Sequence, residues 1–268
     1  MTEIKNVLIT GASAGIGKSL ALEYASYGHN LVLLSRKLDL LANLKDEIEK
    51  SYKVRVFIKS VDVASEAGLK EAVSEAIVEI GEIDTVIANA GFGVEGTFET
   101  LNTSDYQRQF SVNIFGTINT IYASLESLKK SKGRLCLIGS GSSYLTAPGT
   151  TAYSMSKYAI RSLAEGLYAE LATKGVSVTL INPGFIKTNF RKTDNNGVFR
   201  KDLSDPVPEW LMMSAEKAAQ KIYRAVLLAK RELTLTGHAY VGVWLARYFP
   251  GILAFLFKTS FSQKRSSK

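Results

Sequence analysis

Tyr153 and Lys157 stand four residues apart in a stretch whose apolar spacing predicts a helix over 153–173. On a helix that spacing places both side chains on one face, one turn apart. A free phenol ionises at about pH 10, too high for easy proton exchange at neutral pH. A neighbouring ammonium favours the phenolate and lowers that value. A tyrosine so placed can donate a proton to a carbonyl oxygen or remove one from an alcohol. Ser140, in Gly139-Ser140-Gly141-Ser142-Ser143 at the end of a strand candidate, offers a hydroxyl to an oxygen that gains negative charge. Ser142 and Ser143 could take the same task. Each residue alone has an ordinary reading: a Tyr–Lys pair on a helix rim, a serine at a strand end.

A second chemistry sits near the amino terminus. A strand candidate ends at Thr10 and is followed by Gly11-Ala12-Ser13-Ala14-Gly15-Ile16-Gly17-Lys18, which opens a helix. Gly11 can adopt the angles of a tight turn, and Gly15 and Gly17 let backbone and helix approach closely. The free N–H groups and positive dipole end of that helix then suit a dinucleotide pyrophosphate, with Ser13 adding a hydroxyl. The next strand candidate ends Leu33-Leu34-Ser35-Arg36-Lys37, with no carboxylate. An acid there would accept bonds from a ribose 2′-OH and repel a 2′-phosphate. Arg36 can instead grip a phosphate bidentately, with Ser35 and Lys37 beside it. The expected cofactor is therefore NADP(H).

These groups need strands to hold them. Strand candidates are Asn6–Thr10, Asn30–Ser35, Val54–Ser60, Asp84–Ala88, Gly133–Ser140, Val176–Asn182 and, more weakly, Glu232–Thr236. Helical stretches near 15–28, 38–51, 65–80, 104–128, 153–173 and 214–230 alternate with them. Several strands are nearly continuous apolar runs, as a parallel sheet buried on both faces requires. The expected fold is α/β: a doubly wound, Rossmann-like, mainly parallel seven-stranded sheet with helices on both faces. Ligands then bind beyond the carboxyl ends of the strands. Residues 1–237 read as a single dinucleotide-binding and catalytic domain, and 238–268 as an apolar-then-basic extension. Thr188–Leu211, with Asp194-Asn195-Asn196-Gly197, Pro206 and Pro208, breaks the rhythm and reads as a lid at about 188–212.

Composition narrows the function classes. With 46% apolar and 22% charged residues, the 268-residue chain is neither disordered nor fibrous. One cysteine, Cys136, excludes a disulfide framework, and two separated histidines, His29 and His238, give no metal site. No role is assigned to either histidine. The chain starts without an apolar signal segment, which reads as cytoplasmic. Of the net charge of +8, the stretch from His238 to Lys268 carries Arg247, Lys258, Lys264, Arg265 and Lys268 and no acid, leaving +3 for the rest. No basic stripe interleaved with aromatics suggests nucleic acid. An anionic membrane surface suits the tail better.

The spacing Thr-Gly-x-x-x-Gly-x-Gly departs from the general Gly-x-Gly-x-x-Gly fingerprint. It is followed by Asp62-Val63, Asn89-Ala90-Gly91, Asn113, Ser140, Tyr153-x-x-x-Lys157 and Pro183-Gly184. Over about residues 5–190 the chain resembles the short-chain dehydrogenase/reductase family, nearest to its lipid- and steroid-directed, 3-ketosphinganine reductase-like members. The resemblance implies an NADPH-dependent oxidoreductase interconverting a carbonyl and a secondary alcohol on a lipophilic small molecule. It implies that Ser140, 13 residues before Tyr153, is the serine of the set. Lys157 would also bond the nicotinamide ribose, and the Asn113 backbone carbonyl would hold a proton-relaying water. Asp62 and Val63 would bracket the adenine, although Asp62 also fits a helix N-cap. Asn89-Ala90-Gly91 would pass the adenosine ribose. Pro183 and Gly184 would meet the nicotinamide, and Ile186 and Thr188 its carboxamide. Helices 104–128 and 153–173 would form a homodimer or homotetramer contact.

Ala239–Phe257 carries a single charge, Arg247, and is interrupted by Pro250-Gly251. Three placements are open to it: spanning a membrane, anchoring at its interface, or packing on the protein's own pocket or a subunit. Two rival functions share the cofactor turn: an NADP(H) sensor without turnover, and an epimerase or dehydratase. Arg36→Asp should swing coenzyme preference toward NADH. An unchanged NADPH/NADH ratio of kcat/KM would overturn the assignment of Arg36 to the 2′-phosphate.

Overall fold

The structure, a computed structural model, describes residues 5–202, 205 and 207–266, with side chains as far as Thr259. In chain order the strands are β1 (Asn6–Thr10), β2 (Asn30–Ser35), β3 (Val56–Ser60), β4 (Thr85–Ala88), β5 (Arg134–Ile138), β6 (Ser177–Asn182), β7 (Ile186–Lys187), β8 (Met213–Ser214) and β9 (Glu232–Thr234). The helices are α1 (Gly15–Ser26), α2 (Leu38–Ser51), α3 (Glu66–Ile80), α4 (Thr103–Phe110), α5 (Gly116–Ser131), α6 (Thr151–Ala172), α7 (Ala215–Leu227), α8 (Gly237–Tyr248) and α9 (Pro250–Ser266). Seven strands pair in parallel in the order β3-β2-β1-β4-β5-β6-β9. This is the doubly wound sheet expected from strand–helix alternation.

Alternation along each strand divides the core into two layers. Val7 and Ile9 of β1, Leu31 and Leu33 of β2 and Cys136 of β5 bury on one face, against Leu20 and Tyr24 of α1 and Ile222 and Val226 of α7. Leu8, Val32, Leu34, Leu135 and Leu137 bury on the other, against Leu69 and Val73 of α3, Ile121 and Leu128 of α5 and Ile160 of α6. Both faces are dry, so the strands contain almost no polar alternation. The strand order reverses between β1 and β4, and the crevice beyond their carboxyl ends is the place such a sheet offers a ligand.

Two local departures matter. The stretch expected as one helix over 104–128 is three pieces: α4, a five-residue π turn at Ser111–Phe115, and α5. The π turn closes with the Gly116 N–H on the Ser111 carbonyl, five residues back. Such single-turn insertions widen a helix locally and occur often at functional sites. The lid stretch is also more ordered than its composition suggests. It holds short turns at Phe190–Lys192 and Glu209–Leu211, a bridge between Thr193 and Phe199, and the β7–β8 pair. Its residues Leu203, Ser204 and Pro206 lie outside the described residues, as do the side chains of Lys264, Arg265 and Lys268 in the basic tail.

Among the described residues no single helix is long and apolar enough to cross a membrane. The apolar run is broken into α8 and α9, which meet at a 113° bend. Its one charge is paired within the fold. Arg247 donates to Glu232 Oε2 at 2.8 Å and to the Tyr144 hydroxyl at 2.8 Å. Glu232 Oε1 also accepts from Tyr144 and, at 2.8 Å, from Asn182 Nδ2. The Arg161 and Arg247 guanidinium groups lie 4.1 Å and 4.6 Å from the centre of the Tyr144 ring. One carboxylate thus ties α8 to the end of β6 and to the segment after Ser143. Glu232→Gln should lower stability by about 1–2 kcal/mol, because a charged acceptor is lost from a partly exposed network. Urea unfolding checks this, and an unchanged midpoint would show that the network is slack.

Candidate active site

The turn after β1 is shaped by what lies against it. Gly11 has φ +65°, and a Cβ there would sit 2.8 Å from the Ala90 Cα. A Cβ on Gly17 would sit 2.3 Å from the Gly11 carbonyl oxygen, so α1 can begin this close to the turn only without a side chain. Asn89 braces the crevice. Its side-chain amide donates to the Thr10 carbonyl at 2.9 Å and the Gly11 carbonyl at 3.3 Å. Thr10 Oγ1 returns the contact, accepting from the Asn89 and Ala90 N–H groups at 3.1 Å and 3.2 Å. Asn89, expected beside a ribose, uses its amide to hold β1 to β4.

The start of α1 differs from those of α3, α4 and α7. Ala14 is its N-cap, no side chain caps it, and its first turn holds no acid. Ser65, Asn102 and Ser214 each cap α3, α4 and α7 through a side-chain oxygen. The orphan N–H groups of α1 therefore remain for an anion. Ser13 and Ile16 flank them, partly exposed. The Thr188 side chain, just after β7, approaches Gly15, 3.2 Å from where a Cβ would stand. A cradle that a Cβ would fill, beside an uncapped helix start, fits the pyrophosphate of a nicotinamide dinucleotide.

At the end of β2 the side chains sort differently. Ser35 is buried, and its Oγ accepts from the Lys37 N–H at 3.0 Å, which shapes the bend. Arg36 is exposed and has no carboxylate within ion-pair distance among the described residues. Its guanidinium lies 3.5 Å from the Cβ position of Gly197. Asp62 is not a helix N-cap. Its Oδ1 accepts from the Ala64 N–H at 2.9 Å, while Ser65 caps α3 by accepting from the Gly68 N–H at 3.1 Å. Val63 is buried against Gly116 at the start of α5.

Tyr153 and Lys157 share one face of α6, and the Lys157 ammonium lies 5.8 Å from the centre of the Tyr153 ring. Lys157 donates to the Ile138 carbonyl at 2.8 Å, at the end of β5. It also faces Gly91, 3.8 Å from that residue's Cβ position. Asn113 is buried there. Its amide donates to the Phe92 carbonyl at 3.1 Å and to Ser156 Oγ at 3.0 Å, and its Oδ1 accepts from the Phe92 N–H at 3.1 Å. The Asn113 backbone carbonyl accepts from the Thr117 hydroxyl at 2.9 Å. Ser140 Oγ accepts from the Ser142 N–H at 3.1 Å, and hydrogen bonding from Ser140 acts to lower the proton affinity of the Tyr153 phenol. Ser143, fully buried, accepts from the Ser140 N–H, and Ser140 is the serine whose hydrogen bonding acts on Tyr153.

The electrostatics run opposite to the expectation for the phenol. Burial pushes Tyr153 up to about 12, against the lowering effects of the Ser140 hydrogen bond and the Arg191 charge. Burial pushes Lys157 down to about 8. Desolvation disfavours whichever form is charged, so it raises an acid and lowers a base. The ammonium is 5.8 Å from the ring centre and bound to a carbonyl, too weak an influence to reverse the penalty on the phenolate.

Several residues around this centre had no local signal. Phe190, in the turn at Phe190–Lys192, has its ring 5.6 Å from that of Tyr153. Arg191 pairs with Asp205 at 2.8 Å and donates to the Ile186 carbonyl at 3.2 Å. Asn195 clasps the loop after β4, accepting from the Glu95 N–H at 2.9 Å and donating to the Glu95 carbonyl at 2.8 Å. His238 stacks on Phe185 at 4.9 Å and accepts from its N–H at 3.3 Å. The same histidine and Thr236 crowd Gly184, where a Cβ would lie 2.1 Å from Thr236 Oγ1. The Pro183 carbonyl accepts from the Gly141 N–H at 2.9 Å, so the turn after β6 abuts the serine cluster. Only proximity in space links these residues: Glu95 and Asn195 are 100 positions apart. Gly17→Ala should weaken dinucleotide binding by at least about tenfold, because the new methyl must displace the Gly11 carbonyl or the Asn89 brace. Fluorescence titration with NADPH measures this, and wild-type affinity would show that the turn relaxes freely.

Residues 5–198 match the short chain dehydrogenase family. The chain is 33% identical over 225 residues to 3-ketodihydrosphingosine reductase from Bos taurus, covering 80% of this chain and 68% of that protein. It is 29% identical over 260 residues to 11-beta-hydroxysteroid dehydrogenase A from Sesamum indicum, covering 95% of this chain and 74% of the relative. Among solved structures, an alcohol dehydrogenase from Thermococcus sibiricus complexed with 5-hydroxy-NADP superposes with a TM-score of 0.77 at 28% identity, covering 87% of this chain and 97% of that one. The chain belongs to the short-chain dehydrogenase/reductase family and is an NAD(P)-dependent oxidoreductase.

Proposed function

We propose that this protein is an NADPH-dependent reductase that interconverts a carbonyl and a secondary alcohol on a lipophilic small molecule. The observation that carries the reading is the convergence of Tyr153, Ser140 and Lys157 beside the crevice at the end of β5. Gly11, Ser13, Gly15, Ile16 and Gly17 would hold the pyrophosphate. Asp62, Val63 and Asn89-Ala90-Gly91 would lie along the adenosine, and Pro183, Gly184, Ile186 and Thr188 beside the nicotinamide. When bound, the dinucleotide supplies the two-electron redox chemistry at its nicotinamide ring.

The chain's own residues supply the proton and the placement. A phenol held up at about 12 is protonated at neutral pH, the state required to donate to a carbonyl oxygen. Ser140 stabilises charge on that oxygen by hydrogen bonding. Lys157, at about 8, gains its proton as pH falls through that value and then bears the charge that favours phenolate once Tyr153 has given its proton. Asn113 buttresses Lys157 through Ser156, Phe92 and the π turn.

Arg36 supports NADP(H): a cation with no carboxylate partner among the described residues stands where a 2′-phosphate would meet it. The Thermococcus sibiricus structure, complexed with 5-hydroxy-NADP, agrees with that choice. Phe190, its ring 5.6 Å from that of Tyr153, supports a lipophilic substrate, as do the names of the bovine and sesame relatives. Tyr240, Trp244, Tyr248, Ile252 and Phe255 are exposed on α8 and α9 next to Lys258, which supports peripheral contact of a cytoplasmic enzyme with anionic membrane. Exposed Tyr122 on α5 and Met155 and Tyr158 on α6 support a homodimer or homotetramer through those helices.

A panel of lipid ketones assayed for NADPH consumption tests the reaction. Tyr153→Phe should cut turnover by about 10²–10⁴-fold with NADPH affinity retained. Undiminished activity in the variant would remove Tyr153 from the chemistry. NADPH binding without consumption of any ketone would favour a sensor, and product formation without net NADPH loss would favour an epimerase or dehydratase.

A further inference from the structure

The sheet has a second opening at the end opposite the coenzyme crevice. A cavity of about 180 Å³ lies at the amino ends of β1, β4 and β5, between the last turns of α1 and α7. Tyr24 and Tyr223 form its aromatic wall, with ring centres 5.0 Å apart and near-perpendicular planes at 77°. Val226 and Leu227 add apolar surface.

The cations in this wall are Lys5 and Arg134, beside the hydroxyls of Tyr24 and Tyr223 and the His29 ring. Tyr24 is 4% exposed, yet its hydroxyl has no hydrogen-bond partner among the described residues. Buried hydroxyls without partners are rare in folded proteins and call for a reason. Arg134, at the start of β5, lines the cavity and has no carboxylate in ion-pair range among the described residues. Its charge acts on Tyr24, His29 and Tyr223, opposed by Asp84 at His29 and by Glu23 at the two tyrosines. His29 Nδ1 accepts from the Lys5 N–H at 3.2 Å, which leaves the proton on Nε2, facing the Tyr223 hydroxyl at 3.5 Å. The wall therefore holds the Arg134 guanidinium, the Lys5 ammonium paired with Asp84 at 3.6 Å, and the buried, unpartnered Tyr24 phenol, with aromatic and aliphatic carbon around them.

A cavity of roughly 150 Å³ lined by apolar side chains accommodates one benzene ring. Here the size suits a single ring, and Arg134 and Tyr24 supply the complement of one carboxylate. We propose that this cavity is a binding site for a small aromatic carboxylate, with its carboxylate on Arg134 and the Tyr24 hydroxyl and its ring between the tyrosines and Val226. The site is separate from the coenzyme crevice. It needs no assumption about the reaction.

Benzoate is the probe, titrated into the full-length protein by calorimetry with and without saturating NADPH. The expected result is a single benzoate site whose affinity NADPH leaves unchanged. Arg134→Met and Tyr24→Phe should each weaken benzoate by about tenfold while NADPH still binds, which shows that both variants fold. Benzyl alcohol, which keeps the ring and lacks the charge, should bind more weakly than benzoate. Absence of benzoate binding, its displacement by NADPH, equal affinity for benzyl alcohol, or indifference to both substitutions in folded protein would each overturn the proposal.

Discussion

The close approach of α1 to the end of β1 governs the rest of the site. A helix that starts where Gly17 touches the Gly11 carbonyl has no room for side chains at the turn, and its first N–H groups carry no side-chain cap. The same turn abuts Ala90, and Asn89 bonds the carbonyls of Thr10 and Gly11. The crevice between β1 and β4 is thus held open at one spacing by an amide brace and by missing Cβ atoms. Packing of both sheet faces makes that spacing rigid, because close-packed cores do not deform continuously.

Tyr153 and Lys157 inherit their environment from this crevice. Lys157 reaches the carboxyl end of β5 and binds the Ile138 carbonyl, and Asn113 anchors the loop after β4. Burial then sets the resting proton states of the pair, raising the phenol and lowering the amine. A protonated phenol beside an amine with affinity near neutrality suits delivery of a proton to a carbonyl. The penalty on phenolate is the same desolvation that strengthens any hydrogen bond from Ser140.

The two segments least regular in sequence complete the enclosure. Phe190 covers Tyr153, Asn195 clasps the backbone of Glu95, and Arg191 is fixed by Asp205. On the other side α8 closes on the turn after β6, where His238 takes the Phe185 N–H and Arg247 meets Glu232. The exposed aromatic face of α8 and α9 lies outward from these internal contacts.

The amino-acid order alone was enough for the strand–helix alternation, the parallel sheet, the glycine turn and the pairing of Tyr153 with Lys157. Each rests on short-range rules: apolar runs, glycine spacing and a four-residue helical repeat. Strand ends were less legible, as Val54 and Ser140 fall outside β3 and β5, because hydrogen-bond pairing and not apolarity terminates a strand. The π turn at Asn113, the Ser65 cap in place of Asp62, the raised phenol and the role of His238 were decided by tertiary structure. The reason is physical. Burial, proton affinity and a partner 53 or 100 residues away depend on what the folded chain brings alongside, and no local pattern of residues carries that information.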